Sequence, residues 1–159
     1  MDDMELRQFL VNAKRATYAS EGGDGAKILE DGSRKLIFEE GPFRYRDRYF
    51  GTLPFIGEEI VWKDGVPFWG MNYRGRIVAV RKSALPQGLN EFLQAALREV
   101  TIELPFRGPK SFSRGDFIYS VKMERNWINS FRGKEEIFHH CCQRFELAFH
   151  GGYIDIAWD

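Results

Sequence analysis

The sequence predicts an α+β domain in which two principal helices pack on a mainly antiparallel β-sheet, in the order helix, strands, helix, strands. Two stretches, one at the N-terminus and one near residue 90, carry apolar residues at helical spacing. The regions after them alternate apolar and polar residues between short turn sequences. The 159 residues suffice for one hydrophobic core, so we expect a single globular domain over residues 1–159.

The first helix begins at Asp2 or Asp3, because either side chain can cap its first turn. Its apolar face repeats at intervals of three and four residues through Leu6, Phe9, Leu10, Ala13 and Thr17. The segment 21–25 reads EGGDG and predicts the end of the helix and a flexible loop.

Strand periodicity then extends over residues 27–80. Turn-forming sequences divide this region at Asp31-Gly32, at residues 39–42, at residues 51–54, at Asp64-Gly65 and at Arg74-Gly75. The first of these predicts a two-residue hairpin loop between residues 28–30 and 34–38. The last predicts a turn before a further strand at residues 76–80.

The second helix is predicted from another apolar stripe, with Pro86 and Gly88 at its start and Pro105 preventing its continuation. Its members are Leu89, Phe92, Leu93, Ala96, Leu97 and Val100. Further strands are expected at residues 116–123, 135–142, 144–150 and 153–157, and the pair Gly151-Gly152 after His150 is expected to form a tight turn.

Composition excludes several classes of function. Basic and acidic residues balance at 23 each, so no global field attracts nucleic acid or an anionic membrane. No run of 18 apolar residues predicts a membrane span, and the N-terminus lacks the features of a signal peptide. The only cysteines, Cys141 and Cys142, are adjacent and cannot link distant parts of the chain. A reducing, cytoplasmic location is therefore expected.

The hairpin around Asp64-Gly65 determines where the candidate site residues lie. A type I′ turn there pairs Lys63 with Val66 and, continued residue by residue, Glu58 with Met71. Because successive side chains of a strand point to opposite faces of the sheet, this pairing predicts two sets. One face carries Glu58, Ile60, Trp62, Pro67, Trp69, Met71 and Tyr73, and the other carries Glu59, Val61, Phe68, Gly70 and Asn72. A shift of one residue in the register of strand pairing would exchange Glu58 and Glu59 between the two faces of the sheet.

Two interpretations of these faces remain open. The arginines at 44, 46 and 48 alternate along a neighbouring strand, so one of them can form a structural ion pair with a glutamate. Alternatively, a glutamate, with Asn72 and Tyr73, presents polar groups among aromatics in a ligand cleft. The segment FRYRDRYF also resembles a surface for single-stranded nucleic acid, but Asp47 interrupts its basic character and such binding is not expected for this chain.

We therefore expect a small-molecule-binding domain with an aromatic-lined cleft. The predicted lining comprises Glu58, Trp62, Trp69, Met71 and Tyr73, with Arg46, Arg48 and His150 as further polar contributors. One alternative is a protein-interaction module, whose exposed aromatics dock a partner or a second copy of the chain. Another is a hydrolase or lyase that uses a glutamate as general base with His150. No residue is assigned as catalytic and no cofactor is expected, which favours a binding domain over an enzyme.

Two other motifs contain residue types that bind metals or anions, and each also has a structural interpretation. The run His139-His140-Cys141-Cys142 contains metal-ligating residue types, but alternation along a strand would leave at most one histidine and one cysteine on a face. No metal site is therefore expected. Arg107, in a loop after the second helix, is interpreted as an anchor of that loop through a salt bridge, with an anion contact as the alternative.

Several blocks together resemble a bacterial family of domains of unknown function. They are ATYA at 16–19, YRDRYFG at 45–51, FIGEE at 55–59, PFWGMNY at 67–73, FRGP at 106–109 and HGG at 150–152. The resemblance covers nearly the whole chain and brings no known activity or site residue. Its members occur alone or fused behind helix-turn-helix DNA-binding domains, which implies a sensing or protein-contact role for the fused members. This chain has no room for such a domain before Met4, so we expect any regulatory role to depend on a separate partner.

Overall fold

The computed structural model describes residues 3–21, 26–78 and 85–154. These residues form two helices, α1 (Asp3–Glu21) and α2 (Leu89–Arg98). They also form nine strands: β1 (Lys27–Ile28), β2 (Arg34–Glu40), β3 (Phe43–Gly51), β4 (Phe55–Lys63), β5 (Val66–Ile77), β6 (Ser111–Arg114), β7 (Phe117–Trp127), β8 (Ser130–His139) and β9 (Cys142–Tyr153). The prediction of an α+β fold with an antiparallel sheet is confirmed, although sheet predominates over helix.

Both helices bury the faces that their sequences predict. Along α1, the apolar residues from Leu6 to Thr17 are buried, and the predicted cap Asp2 and loop 22–25 lie outside the described residues. Helix α2 starts after Gly88, whose left-handed backbone (φ 84°) suits a residue without Cβ. Its buried face includes Leu89, Phe92 and Ala96. No helix in the described ranges is long and apolar enough to cross a membrane.

All nine strands of the described chain join one antiparallel sheet in the order β1-β2-β3-β4-β5-β9-β8-β7-β6. Helix α1 packs against β2 and β3, α2 packs against β6 and β7, and the helices contact each other. Strands β2 and β7 are six positions apart, roughly 29 Å at 4.8 Å per strand, whereas packed helices are only about 8–10 Å apart. The sheet therefore curves around the two helices and encloses the core on its inner face.

Glycines opposite aromatic rings permit this curvature. In four cross-strand pairs a glycine lies beneath a ring: Gly57 with Tyr73, Gly75 with Phe55, Gly133 with Phe149, and Gly151 with Phe131. At Gly57, an added Cβ would lie 2.4 Å from the Tyr73 hydroxyl oxygen. The missing side chains let the rings lie flat against the sheet and fill its inner face, a device known to support bent strands.

Three predicted turns and one predicted strand differ in the structure. The hairpin at Asp31-Gly32 has a five-residue loop rather than two, because Ser33 bonds to the Asp31 carboxylate instead of joining β2. Arg74-Gly75 and His150-Gly151-Gly152 are not turns, since β5 and β9 pass straight through them and pair with each other. The predicted strand at 135–142 ends at His139, where a turn begins. The strand β6 was not predicted, and Val80 and residues 155–157 lie outside the described residues.

The predicted register of the central hairpin is wrong beyond its first two pairs. Lys63 pairs with Val66 and Trp62 with Pro67, as predicted, but a β-bulge follows and Val61 pairs with Trp69. The extra residue in β5 is Phe68, which shifts every later pair by one. Glu59, rather than Glu58, therefore shares the inner face with Trp69, Met71 and Tyr73.

Candidate functional site

A cluster of ionisable side chains is buried between the helices and the inner face of the sheet. We call it the buried polar cluster, and its members are Lys14, Tyr18, Tyr45, Asp47, Glu59, Tyr73, Arg107, Tyr119 and Glu135. Charged residues are rarely buried without a partner because removal from water costs several kcal/mol per ion. The charged members of this cluster therefore depend on ion pairs and hydrogen bonds with one another.

Lys14 and Glu59 form the first part of the cluster. The Lys14 ammonium donates to Glu59 Oε2 at 2.5 Å, and the Tyr18 hydroxyl donates to Glu59 Oε1 at 3.0 Å. The ammonium nitrogen also lies 5.7 and 5.8 Å from the ring centroids of Tyr18 and Tyr45. Burial lowers the pKa of Lys14, and the Glu59 carboxylate opposes that shift. The pair connects α1 to β4 beneath the helix.

Arg107 and Glu135 form the second part. The Arg107 guanidinium donates from Nε and Nη2 to the two Glu135 oxygens, both at 3.0 Å. The Tyr119 hydroxyl donates to Glu135 Oε2 at 2.8 Å and accepts a bond from the backbone N–H of Gly108. Both charged side chains are almost fully buried. This bidentate salt bridge is strong and fixes the orientation of the two side chains relative to each other. It confirms the prediction that Arg107 anchors the loop after α2 through a salt bridge.

Asp47 is the third carboxylate, and no cation among the residues that the structure describes bonds directly to it. Tyr73 donates its hydroxyl proton to Asp47 Oδ1 at 2.6 Å. Asp47 Oδ2 and the Tyr45 hydroxyl are buried and have no hydrogen-bond partner within residues 3–21, 26–78 and 85–154. Burial, followed by the nearby negative charge of Glu59, raises the pKa of Asp47 to about 7. Fully ionised, the cluster would hold three carboxylates against two cations, so a proton on Asp47 balances its charge.

The tyrosines of the cluster remain protonated donors. Burial, reinforced by the neighbouring carboxylates, raises the pKa of the Tyr18, Tyr45 and Tyr73 phenols well above the ordinary range. Their hydroxyl groups can therefore donate to a carboxylate while their oxygen lone pairs accept from another group. Tyr73 and Tyr18 each use their single proton on a carboxylate.

A cleft of about 320 Å³ opens from the surface to this cluster. Its walls come from α1, β2, β3, β4, β5, α2 and the loops after β3 and α2. The lining residues are Tyr18, Arg34, Tyr49, Gly51, Thr52, Phe55, Tyr73, Asn90, Glu91, Leu93, Gln94, Leu97 and Arg107. Three of these, Tyr18, Tyr73 and Arg107, belong to the buried polar cluster and form the inner end of the cleft. The Arg107 guanidinium carbon lies 5.4 Å from both tyrosine ring centroids.

Comparison with protein-family models shows one relationship. The model of a domain of unknown function, DUF5680, matches residues 47–154. The chain belongs to this family. Neither the curated proteins nor the solved structures provided a match. Membership of DUF5680 assigns no activity, so any function must be argued from the site itself.

The DUF5680 match includes most of the buried polar cluster. Asp47, Glu59, Tyr73, Arg107 and Glu135 all lie inside residues 47–154. Lys14 and Tyr18 from α1, and Tyr45 from β3, precede the matched region. The inner end of the cleft is therefore built jointly by the matched strands and the helix before them.

The structure divides the eight predicted site residues between the two faces of the DUF5680 sheet. Tyr73 lines the cleft, while Trp69 and Met71 lie on the same inner face but deep in the core. The other five, Glu58, Trp62, Arg46, Arg48 and His150, lie on the outer face. The predicted set therefore does not line a single cleft. For β4 the reason is the bulge at Phe68, because it places Glu58 and Trp62 on the face opposite to Trp69, Met71 and Tyr73.

On the outer face, the predicted residues pair with one another or with their neighbours. Arg46 donates to Glu58 at 2.7 Å, which confirms the structural Arg–Glu pair. Arg48 pairs with Asp31, and the guanidinium carbons of Arg44 and Arg46 lie 5.5 and 5.1 Å from the centroid of the Trp62 ring. These contacts give structural roles to side chains that the sequence assigned to ligand binding.

The structure also separates or buries residues that were predicted to serve the two alternative functions, the interaction module and the hydrolase or lyase. The exposed aromatic patch of an interaction module cannot use Trp69, Met71 or Tyr73, because all three are buried. The proposed glutamate–histidine pair is separated by Asn72, which pairs with Glu58 on one side and His150 on the other. Their Cα atoms are thus two strands apart, about 10 Å, which does not favour direct contact.

Several residues of the site were missed, although the sequence contains signals for some of them. Lys14 and Tyr18 continue the buried stripe of α1 at intervals of four from Leu10, so both point towards the core. Asp47 alternates with Arg44, Arg46 and Arg48, which are less buried, and therefore shares the inner face of β3 with Phe43 and Tyr45. Glu135 carries no comparable signal, because only the antiparallel order of β8 brings it beneath Arg107.

Proposed function

We propose that this domain binds a small organic molecule in the cleft, with the polar group of the ligand against Tyr18, Tyr73 and Arg107. The observation that supports this most strongly is the joining of an open, partly apolar cleft to a buried set of polar groups. Binding sites commonly combine apolar walls with a few fixed polar groups at one end. A sensing role of the kind implied for relatives fused to DNA-binding domains fits such a site.

The geometry favours a neutral or singly charged ligand with one hydrogen-bonding head group. The phenol protons of Tyr18 and Tyr73 are used on carboxylates, so their oxygens accept from a ligand hydroxyl or N–H. Arg107 Nη1, whose contact with Tyr18 is long at 3.5 Å, donates to a ligand oxygen. Phe55, Leu93 and Leu97 pack an apolar body. The volume of about 320 Å³ limits the ligand to a small one.

Filling the cleft from α2 tests this proposal. Gln94 lines the cleft and is partly exposed, so Gln94→Trp should place an indole in it without disturbing the core. A thermal-shift screen of small carboxylic acids, amides and phenols should give hits with the native protein. At 100 times the dissociation constant a ligand raises the melting temperature by about 5–10 °C for a domain near this size. Gln94→Trp should abolish that shift.

Arg98→Trp provides the matched control. Arg98 is exposed one helical turn further along α2 and does not line the cleft. The same indole at that position should leave the ligand-induced shift unchanged. Hits that survive Gln94→Trp but disappear in Arg98→Trp would place the binding site elsewhere, and a screen without hits would argue against a small-molecule function.

General acid–base chemistry on the bound molecule is a second candidate function. Tyr73 touches the cleft and also bonds to Asp47, whose pKa of about 7 suits a group that exchanges protons near neutral pH. A ligand with an acidic C–H group could lose its proton to the Tyr73 oxygen as the Tyr73 proton passes to Asp47. The residues of this relay are Tyr73 and Asp47, rather than the glutamate and His150 expected from the sequence.

Hydrogen–deuterium exchange tests this second candidate. Hits that carry a C–H group next to a carbonyl are incubated with the protein in D₂O, and loss of the C–H signal is followed by NMR. Exchange should be faster than in buffer and should fall at least about 100-fold in Tyr73→Phe, the contribution typical of a positioned acid or base. Equal exchange with the native and Tyr73→Phe proteins would leave binding as the function.

A further inference from the structure

Two turns of the sheet bring together two histidines and an aspartate, none of which lines the cleft. Asp116 lies in the turn between β6 and β7, and His139 and His140 lie at the end of β8 and in the turn that follows. One ligand atom from each residue falls within 4.8 Å of the other two. The His140 Nε2 atom is 3.6 Å from Asp116 Oδ2, and the two imidazole centroids are 4.2 Å apart.

The turn explains why these side chains converge where a strand would separate them. The predicted strand would have placed His139 and His140 on opposite faces, but β8 ends at His139 and the chain reverses through His140 and Cys141. The backbone N–H of His140 donates to the Asp116 carbonyl at 3.3 Å and ties the two turns together. Phe117, whose Cα pairs with that of His139, packs its ring 4.5 Å from the imidazole and orients it.

The residue types in this turn are unusual for its backbone. His140 and Cys141 both have positive φ, 48° and 61°, a conformation that two-residue hairpin turns usually assign to asparagine and glycine. Each such residue with a side chain is held at an energetic cost. A histidine that projects beside a second histidine and a carboxylate suits metal ligation better than chain reversal.

We propose that Asp116, His139 and His140 form a surface site for a divalent transition-metal ion such as Zn²⁺. Two imidazoles and one carboxylate are a ligand set that zinc accepts, with a fourth position left for water. Bonds of about 2.0–2.2 Å require ligand atoms about 3.3–3.6 Å apart in a tetrahedron, so the three side chains must move slightly closer together. Asp116 and His140 are each 65% exposed and have the freedom to do so. The ion links the β6–β7 turn to the β8–β9 turn.

The test is titration of the chelator-treated protein with Zn²⁺, followed by calorimetry and by the melting temperature. One ion should bind per chain and raise the melting temperature. His140→Asn is the decisive variant, because asparagine suits the left-handed turn and the protein should fold at least as well. It should nevertheless weaken zinc binding by about tenfold or more, since effects of that size follow even from loss of a residue that only supports a ligand.

Two control variants exclude other sources of binding. His150→Ala removes the remaining histidine of the chain and should leave zinc affinity unchanged. Replacing both exposed cysteines, Cys141 and Cys142, by serine should also preserve binding if the site is the one proposed. Binding that persists in His140→Asn, binding lost with the cysteines, or no binding to the native protein would each overturn the proposal.

Discussion

Replacing Arg107 by methionine is expected to lower the free energy of unfolding by about 3–5 kcal/mol, the cost typical of breaking a buried ion pair from one side. The substitution leaves Glu135 inside the core with the Tyr119 hydroxyl as its one remaining side-chain partner in the described part of the chain. It also removes the guanidinium that lies between Tyr18 and Tyr73. Urea-induced unfolding, followed by fluorescence, measures the effect.

Two further variants distinguish the effect of the uncompensated Glu135 charge from a simple loss of side-chain packing. Arg76→Met breaks the pair between Arg76 and Glu146 on the outer face, which is partly exposed, and should cost no more than about 1 kcal/mol. The double variant Arg107→Met with Glu135→Gln should recover much of the lost stability, because the uncompensated charge is gone. An Arg107→Met protein as stable as Arg76→Met would show that the buried pair is not a structural centre of the fold.

Neutralising Asp47 is expected to change how stability depends on pH. In the folded protein Asp47 releases its proton near pH 7, whereas in the unfolded chain it does so near pH 3.8. Between those values the folded state binds more protons, so raising the pH favours unfolding. The native protein therefore loses stability through this group from about pH 4 to pH 7. The total loss is at most about 4 kcal/mol, at 1.36 kcal/mol per pKa unit.

Asp47→Asn removes that dependence while keeping an acceptor for the Tyr73 hydroxyl. The variant should become progressively more stable than the native protein as the pH rises from 5 to 8, and the difference should stay constant above pH 8. Denaturant unfolding at several pH values measures it. Glu124→Gln neutralises a carboxylate that is 66% exposed on the outer face and should show no such trend. A constant difference between Asp47→Asn and native protein at all pH values would contradict the raised pKa.

The helices and the general order of elements follow from the sequence because their signals are local. The stripe from Leu6 to Thr17 identifies the buried face of α1, and Gly88 marks the start of α2. The predicted ends of strands are wrong where the prediction assigns to a turn a glycine that lies within a strand. Gly75, Gly151 and Gly152 lie within strands, because each glycine accommodates a ring or a neighbouring backbone rather than a chain reversal. Sequence alone does not distinguish these two uses of glycine.

The site could be predicted only in part, because its residues depend on register and on contacts between distant segments. A single bulged residue, Phe68, exchanged Glu58 and Glu59 between the faces of the sheet. Glu58 is 42% exposed and pairs with Arg46, whereas Glu59 is fully buried against Lys14. The Arg107–Glu135 pair joins a loop to a strand 28 residues away. No local pattern specifies that contact.

NMR of tyrosine rings tests the proposed cleft most directly. The chain has six tyrosines, and ring-labelled protein can be titrated with pooled small acids, amides and phenols. Tyr18, Tyr49 and Tyr73 line the cleft, whereas Tyr153 lies outside it and is 43% exposed. A ligand in the cleft should shift the signals of the first three and leave Tyr153 unchanged, and Gln94→Trp should remove those shifts. Shifts confined to Tyr153, or shifts of the cleft tyrosines that persist in Gln94→Trp, would contradict binding at this site.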